Sequence, residues 1–189
     1  LLSSLYPNEK LAALKPFNRW ISRAKDYALA PEDDLEPITF NPEFPDMYKA
    51  YEERLRGIGN VDFGDLILLP VKLLRSREEI RSRLSQRFRY ILVDEYQDSN
   101  VAQFELLKSL VTDKTVLCVV GDDDQSIYRF RGAEVRNILT FPDFFPNTRI
   151  IRLEQNYRST GTILAAASAV VTHNKDRLGK TLWTEKGSG

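Results

Sequence analysis

The chain has 189 residues, 42% of them hydrophobic, and its 27 basic side chains balance 27 acidic ones. This length suits one ordinary domain or two small ones, and the composition excludes wholesale disorder. A single cysteine and a single histidine exclude a disulfide framework, a zinc cluster and a Cys/His nucleophilic pair within the chain, and the lack of a long apolar run or a signal-peptide pattern predicts a soluble, cytoplasmic protein.

The first part of the chain, to about residue 87, has the pattern of helices joined by loops. Apolar residues recur at helical spacing over 11–24, and the same spacing over 47–55 and 66–74 predicts two more helices. The segment 31–45 contains four prolines and is predicted to be a loop.

The pattern then changes to short apolar runs. The runs at 90–93 and 116–120 are continuous rather than alternating, which predicts strands buried on both faces of a parallel sheet. Apolar residues over 101–111 mark one face of a helix between them, with Ser99 or Asn100 as its cap.

A third strand and a further helix are expected later in the chain. The apolar run at 149–153 predicts the strand, and Ser159 or Thr160 is expected to cap a helix that continues to about His173. Cys118 lies inside the second predicted strand and is expected to be an inert core residue.

The charges are not evenly distributed. Residues 71–90 hold seven basic and two acidic side chains, whereas 91–125 hold two basic and eight acidic ones. This alternation indicates either a cation site beside surfaces that attract phosphates or a solvated charged face. The basic run at 75–89 is likewise open to two interpretations, binding of duplex phosphates or a solvated helix face.

Polar side chains follow both predicted strands where each strand ends, and ligands of open parallel sheets bind beyond that edge. The first set is Asp94, Glu95, Gln97 and Asp98, and the second is Asp122, Asp123, Asp124 and Gln125. Two adjacent carboxylates suit phosphoryl transfer, because one can hold hydrated Mg²⁺ while the other orients and deprotonates the attacking water. A polar turn is the alternative for one such pair, and the second cluster favours the phosphoryl-transfer interpretation.

Three segments carry a resemblance to a known family. DEYQD at 94–98, GDDDQSIYRFRGA at 121–133 and LEQNYRS at 153–159 resemble the second, third and fourth motifs of the UvrD/Rep/PcrA family of superfamily-one DNA helicases. RLGKTLWT at 177–184 resembles the stretch that follows in the family. The match is dense over 88–184 and weaker over the earlier part, where VDFGDL at 61–66 is similar to a short family element that usually has an acid at the glycine position.

The resemblance implies roles for residues at the predicted sheet edge. Asp94 would hold Mg²⁺, and Glu95 would be the catalytic base, for which a rate effect of about 10² to 10⁴ is typical. Gln125 would sense the terminal phosphate of ATP, and Gln97 would help to relay the nucleotide state to the DNA surface.

Two residues of the fourth motif resemble nucleotide contacts. Tyr157 resembles the residue that stacks on adenine, and Arg158 resembles an arginine that contacts the terminal phosphate, a contact that can contribute about 10³ to 10⁵ in rate. Alternatively, Arg158 caps the following helix or pairs with Glu154.

Aromatic and basic residues alternate in the third motif. Tyr128 and Phe130, interleaved with Arg129 and Arg131, fit single-stranded DNA, since aromatic rings stack on any base and guanidinium groups bind phosphates. Phe130 stands where the best-known members have tryptophan, and a strand edge with solvent-facing arginines is the alternative. In the shorter element, Phe63 is the implied DNA contact.

The family's phosphate-binding loop, Gly-x-x-x-x-Gly-Lys-Ser/Thr, does not occur in the chain. Gly179-Lys180-Thr181 imitates its end, but Asn174 stands where the first glycine is required and a helix, not a strand, is expected before it. Asp62-Phe63-Gly64 imitates the kinase magnesium tripeptide without the other kinase motifs. We reject both.

The pattern of elements predicts an α/β fold, and the resemblance implies an internal fragment that comprises an incomplete RecA-like parallel sheet with flanking helices and a mainly helical accessory domain. The predicted parts are the accessory domain (1–87), the returning part of the first RecA-like domain (88–154) and the opening of the second (155–189). The resemblance implies an ATP- and Mg²⁺-dependent 3′-to-5′ helicase that acts on single-stranded DNA and duplex junctions. The isolated fragment is expected to be inactive and open to self-association through its uncovered sheet.

Two other functions compete with this one. Val120–Asp123 also resembles the metal-binding turn of polymerase palms, which requires antiparallel strands around the turn. The second alternative is a non-catalytic module that binds DNA or a partner on the helicase scaffold, and ATP hydrolysis would distinguish it from the motor.

Overall fold

A computed structural model shows helices followed by a small parallel sheet. The structure describes residues 1–126, 136–173 and 179–189. Its α-helices are α1 (Leu2–Leu5), α2 (Leu11–Asp26), α3 (Phe44–Gly57), α4 (Asp65–Ser76), α5 (Glu78–Ser85), α6 (Val101–Leu110), α7 (Arg136–Leu139), α8 (Phe141–Phe144) and α9 (Gly161–Val171). The strands are β1 (Tyr90–Val93) and β2 (Val116–Val119), and 3-10 turns lie at Tyr96–Asp98 and Asp123–Gln125.

The first helices pack around an aromatic core. The helical spacing of Leu14, Phe17 and Ile21 places all three on the buried side of α2. Phe44 and Tyr48 of α3 stack on each other with ring centroids 5.7 Å apart and are fully buried. The three helices predicted from apolar spacing are confirmed as α2, α3 and α4.

Helix α4 joins this helical part to the sheet. Its Leu68 and Val71 are buried in one cluster with Ala28, which follows α2, and with Ala102 of α6. The predicted boundary at residue 87 therefore lies within a region of continuous packing, and it stays a prediction.

The sheet is built from a crossover unit, as predicted. β1 and β2 pair in parallel, with Tyr90 opposite Val116 and Val93 opposite Val119, and α6 connects them. Asn100 caps α6: its side chain accepts a hydrogen bond from the Gln103 backbone nitrogen at 2.8 Å, and the Gln103 side chain accepts one from the Asn100 backbone nitrogen at 3.0 Å. This reciprocal capping box fixes where the helix begins.

The prediction that both strands are buried on both faces is wrong. Ile91, Val93, Leu117 and Val119 pack against the cluster that contains Tyr96, but the opposite face is open. There Leu92 is 77% exposed, and Cys118 is exposed rather than a core residue. The burial alternates because α6 and α8 pack on one side of the sheet, while none of the described residues covers the other.

The predicted third strand is also wrong. Residues 149–153 form no strand, and Ile151 and Leu153 are 68% and 78% exposed. A strand requires a hydrogen-bonded neighbour, and no described strand pairs with this run. The only bridge nearby in the described part joins Gln155 to Trp183 in parallel.

The last predicted helix is confirmed as α9, with Thr160 at its N-cap position and His173 just beyond its end. Thr160 makes no side-chain capping bond. No described helix has both the length and the apolar character that crossing a bilayer requires.

Tyr96 offers a test of burial without hydrogen bonding. Its side chain is 1% exposed, its hydroxyl has no hydrogen-bond partner in the described parts of the chain, and burial raises its pKa to about 12. Because the buried hydroxyl loses its water without gaining a partner, we expect Tyr96→Phe to increase the free energy of unfolding by about 1 kcal/mol. Urea denaturation measures this change.

Tyr48 is the matched control for Tyr96. It is equally buried, but its hydroxyl donates a 3.0 Å hydrogen bond to the Leu29 carbonyl. Tyr48→Phe should therefore lower the free energy of unfolding by about 1 kcal/mol. Destabilisation of similar size by both substitutions would contradict the assignment of an unpaired hydroxyl to Tyr96.

Asp26, the last residue of α2, accepts a hydrogen bond from Asn100, the cap of α6. Its burial makes the free energy of unfolding depend on pH. Burial raises its pKa to about 6, although the Asn100 side chain donates a 2.9 Å hydrogen bond to it. Since the folded-state pKa exceeds the unfolded value, the native state binds more protons between about pH 4 and 6, and stability falls as pH rises through this window.

We expect Asp26→Asn to remove this pH dependence, because the amide oxygen can still accept from Asn100 but carries no charge. The side chain is only half-buried, so the gain at pH 7 should be about 1 kcal/mol. Unfolding of both proteins at pH 4 and pH 7 tests this. A stability gap that is the same at both pH values would refute it.

Candidate functional site

The two polar sets that follow the strands meet at one edge of the sheet. Parallel pairing continues past the strands, since the Val120 nitrogen donates to the Val93 carbonyl at 2.8 Å. The Tyr96 nitrogen then donates to the Val120 carbonyl at 2.9 Å. The chain segments that begin at Asp94 and Gly121 are therefore side by side.

Gln97 connects these segments from a buried position. Its side chain is 2% exposed, its Nε2 donates to Glu95 Oε2 at 2.7 Å, and its Oε1 accepts from the Asp122 backbone nitrogen at 3.0 Å. Ser126 Oγ donates to the Gln97 carbonyl at 3.3 Å. Because both polar ends of the amide are used, Gln97 couples the position of Glu95 to that of the second loop.

The connection continues to Gln125. Its Nε2 donates to Asp122 Oδ2 at 2.6 Å, and Asp122 Oδ1 accepts from the Asp124 nitrogen at 3.0 Å. A continuous path thus runs from Glu95 through Gln97 and Asp122 to Gln125. The structure brings together the residues predicted to act as base, relay and phosphate sensor.

Glu95 has an unusual backbone conformation. Its φ is 50° and its ψ is 39°, in the left-handed region, which disfavours side chains other than glycine by about 1 to 2 kcal/mol. Hydrogen bonds hold the turn: the Glu95 nitrogen donates to Asp94 Oδ1 at 2.9 Å, and the Asp98 nitrogen donates to the Glu95 carbonyl at 3.0 Å. Both acidic side chains, Asp94 and Glu95, are exposed and accessible to a ligand.

Lys180 approaches the same edge and was not predicted to do so. Its ammonium group pairs with Asp122 and lies 3.6 Å from Asp124 Oδ2. Burial opposes ionisation of Asp122, but the hydrogen bonds from Lys180 and Gln125 outweigh it and hold the pKa of Asp122 below its usual value. The only sequence signal was the Gly-Lys-Thr imitation of a phosphate loop, and no helix begins after Thr181 within 181–189, as such a loop requires.

Carboxylates at this edge offer the oxygen ligands that Mg²⁺ prefers. Oxygen atoms of Asp122, Asp123 and Asp124 lie within 4.8 Å of one another. Lys180 already neutralises part of this trio, whereas Asp94 next to Glu95 is exposed. Since Mg²⁺ commonly binds through one or two carboxylates together with substrate phosphates, Asp94 remains the predicted ligand.

The predicted nucleotide contacts of the fourth motif make local hydrogen bonds, and none of those described reaches this path. Tyr157 is 75% exposed and its hydroxyl donates to Gln155 Oε1 at 2.7 Å. The Arg158 nitrogen donates to Asn156 Oδ1 at 2.9 Å. Among the described residues, neither Tyr157 nor Arg158 hydrogen-bonds to the 94–98 or 121–126 segment, and Arg158 does not pair with Glu154.

The predicted DNA contacts divide into two groups. Tyr128, Phe130 and Arg131 lie outside the described residues, so their placement stays a prediction. Phe63 is described and is 91% exposed on the turn that precedes α4. Such exposure leaves its ring free to stack on a ligand.

Several side chains of the basic run at 75–89 make contacts with other residues of the chain. Arg75 pairs with Glu105 at 2.9 Å, and Arg81 pairs with Glu78. Arg89 lies 5.8 Å from the centre of the Tyr90 ring. These contacts favour neither the duplex-binding nor the solvated interpretation of the run.

The parallel strand pairing and the polar residues beyond the carboxyl ends of the strands together define a class of protein. Parallel strands joined by a helix, with acidic and amide side chains converging beyond their carboxyl ends, are typical of α/β proteins that bind ligands at that edge. The parallel pairing conflicts with the polymerase-palm alternative, which requires antiparallel strands.

Within this class the chain belongs to the UvrD/REP helicase family. The model of the UvrD/REP helicase N-terminal domain matches residues 3–146. The chain is 46% identical to the ATP-dependent DNA helicase PcrA of Leuconostoc citreum over 171 residues, which are 89% of this chain and 23% of that protein.

Two further relatives give the same result. The chain is 47% identical to the ATP-dependent DNA helicase Rep of Escherichia coli over 146 residues, covering 77% of the chain and 22% of that protein. It is 47% identical to the DNA helicase II of Rickettsia typhi over 174 residues, which are 89% of this chain and 26% of that protein. The chain therefore spans about a quarter of the length of these relatives.

Proposed function

We propose that the chain is part of an ATP-dependent DNA helicase that moves along single-stranded DNA and unwinds duplexes. The hydrogen-bonded path from Glu95 through Gln97 and Asp122 to Gln125 carries this proposal. It provides a physical link between a base and a phosphate sensor at the edge where ligands of parallel sheets bind. Membership of a family whose similar members are named ATP-dependent DNA helicases supports it.

The residues at the edge suit distinct chemical tasks. Glu95, whose carboxylate is exposed and oriented by Gln97, is proposed to take a proton from the attacking water. Asp94 is proposed to hold Mg²⁺, which when bound neutralises charge that develops on the phosphates. Gln125 is proposed to contact the terminal phosphate, and its bond to Asp122 would transmit that contact to Gln97.

The remaining predicted contacts complete the proposed motor. Tyr157 is proposed to stack on adenine and Arg158 to contact the terminal phosphate, which requires the 155–158 segment to face the edge when ATP is bound. Tyr128, Phe130 and Arg131 are proposed to bind single-stranded DNA by stacking and phosphate contacts. The proposed 3′-to-5′ polarity rests on the family resemblance.

The test of this function uses a longer chain that restores the upstream family segment with its phosphate loop. Duplexes with a 3′ or a 5′ single-stranded tail are offered with ATP and Mg²⁺, and strand separation is followed by fluorescence. We expect separation of the 3′-tailed duplex only, and only with ATP. Equal separation of both substrates would refute the polarity, and separation of neither would refute the function.

We propose that the 189-residue chain alone does not turn over ATP, because it contains no phosphate-cradling loop. A Mg²⁺-dependent hydrolysis rate that Glu95→Gln abolishes, measured in a pure sample of this chain, would contradict this.

We also propose that the isolated chain self-associates through the open face of its sheet. Leu92, Val116 and Val120 are 77%, 54% and 49% exposed on that face. Light scattering at high concentration should give a mass above that of a monomer, and Leu92→Lys should restore the monomer. A monomeric mass for the unchanged chain would end this proposal.

A further inference from the structure

A lysine that the sequence did not single out lies at the centre of a charged cluster. The Lys25 side chain is fully buried, and its ammonium group contacts Glu52 at 2.6 Å, Asp62 at 2.7 Å and Asp65 at 2.8 Å. Tyr51 adds a hydrogen bond to Asp62 at 2.9 Å. A fully buried charge is retained only with such compensation, so this cluster has one defined arrangement.

Two reciprocal hydrogen bonds between Asp62 and Asp65 close the 62–65 turn that precedes α4. The Asp62 nitrogen donates to Asp65 Oδ2 at 3.1 Å, and the Asp65 nitrogen donates to Asp62 Oδ1 at 2.9 Å. The Lys25 ammonium group donates a hydrogen bond to each of the two carboxylates. Gly64 rests against the lysine stem so closely that an added Cβ would lie 2.6 Å from Lys25 Cδ.

Phe63 is the most exposed residue of the 62–65 turn. Its neighbours Asp62 and Gly64 are both in contact with Lys25, yet its own side chain is 91% exposed. An exposed ring contributes little to the core, whereas a ring on a backbone that is held in one place can stack on a base with a smaller loss of conformational freedom on binding.

We infer that Lys25 is a positioning residue that holds the 62–65 turn so that Phe63 is presented to single-stranded DNA. The inference rests on the proposed DNA-binding function and adds a residue to it. Lys25 does not contact the nucleic acid in this account, because its ammonium group is enclosed by the three carboxylates. It acts through the turn and the ring of Phe63 alone.

A double-substitution cycle tests the inference in the 189-residue chain. Binding of a fluorescein-labelled oligothymidylate is measured by anisotropy for the unchanged chain, Phe63→Ala, Lys25→Met and the double variant. Loss of one stacked base predicts that Phe63→Ala weakens binding roughly 5- to 150-fold. Lys25→Met should weaken binding by a comparable factor alone and by less than twofold when Phe63 is already alanine.

Two further variants complete the experiment. Lys72→Met removes an exposed cation paired with Glu32, and it should change affinity equally in both backgrounds. Tyr51→Phe removes only one hydrogen bond to Asp62, so it remains informative if Lys25→Met does not fold. Its smaller loss of affinity should also disappear in the Phe63→Ala background.

The outcomes separate the inference from the function on which it rests. If Lys25→Met reduces affinity by the same factor with Phe63 present and with Phe63 replaced by alanine, Lys25 has a general structural role, and the inference is overturned while DNA binding stands. If Lys25→Met is unfolded, the same comparison is made with Tyr51→Phe. An unchanged chain that does not bind the oligonucleotide, or a Phe63→Ala variant that binds equally well, would overturn the role of Phe63 and the inference together.

Discussion

A Glu95→Gln substitution, made in a longer chain that restores the upstream phosphate loop, should lower the rate of ATP hydrolysis by about 10²- to 10⁴-fold. The amide keeps the size of the side chain, and its oxygen can still accept the hydrogen bond that Gln97 donates at 2.7 Å. It cannot take a proton from water. Because the left-handed turn at Glu95 is held by bonds to its backbone nitrogen and carbonyl and not by its own carboxylate, the fold should be unaffected. Steady-state hydrolysis at saturating ATP measures the effect.

The matched control is Glu105→Gln, the same chemical change in α6 at a carboxylate that pairs with Arg75 away from the sheet edge. It should leave hydrolysis within about twofold, as expected for an exposed ion pair. ATP binding should persist in both variants. A Glu95→Gln protein that hydrolyses ATP at the unchanged rate would remove Glu95 from the reaction.

Lys25→Met should be the most destabilising single substitution discussed, lowering the free energy of unfolding at pH 7 by about 3 kcal/mol. Methionine fills a similar volume, but Asp65, which is fully buried, and Glu52 lose the cation that compensates them. Arg56, 2.7 Å from Glu52 and 3.1 Å from Asp65, keeps the loss from being larger. Urea unfolding of both chains gives the difference.

The same variant should show an altered pH dependence. Burial raises the pKa of Glu52, and Lys25 opposes this, so without the lysine that pKa rises further. For Asp62, burial is outweighed by the bonds from Lys25 and its neighbours, which hold its pKa below the usual value. Removing the lysine therefore makes the native state bind more protons at mildly acidic pH, and the variant loses stability as pH rises through that range.

The stability gap between the two proteins should consequently shrink between pH 7 and pH 4. Lys72→Met is the control, since its partner Glu32 is exposed and the pair should contribute less than about 1 kcal/mol at either pH. A gap for Lys25→Met that matches this control, or that does not change with pH, would contradict the assigned role of the cluster.

Features that depend on local spacing could be predicted from the sequence. The periodicity of Leu14, Phe17 and Ile21 predicts α2, and the residues around Asn100 predict the cap of α6. The convergence of Glu95 and Gln125 also follows, because two parallel strands joined by a crossover must end at the same edge.

Features that depend on neighbours could not be predicted in this way. The apolar run around Leu92 and Cys118 indicates a strand, but it does not reveal whether anything covers each face. The run at 149–153 has the composition of a strand and no described partner to pair with. The composition of a segment shows which of its side chains could be buried. Whether they are buried depends on a second element that packs against them.

The two unpredicted lysines illustrate the same limit. Lys25 is one of 27 basic residues, and its partners are 27 to 40 positions away, so no local pattern marks it. Lys180 lies 58 positions from Asp122 and was noticed only as part of a rejected motif. Long-range ion pairs of this kind become visible only in the folded chain.

The most direct measurement of the central claim is the ATP hydrolysis rate of the longer chain with and without single-stranded DNA. The path from Glu95 to Gln125 is proposed to couple phosphate chemistry to the DNA surface, so added DNA should raise the rate, and Gln97→Ala should remove most of that increase. Hydrolysis that does not respond to DNA would contradict the coupling. DNA binding without any hydrolysis would support the alternative of a non-catalytic module.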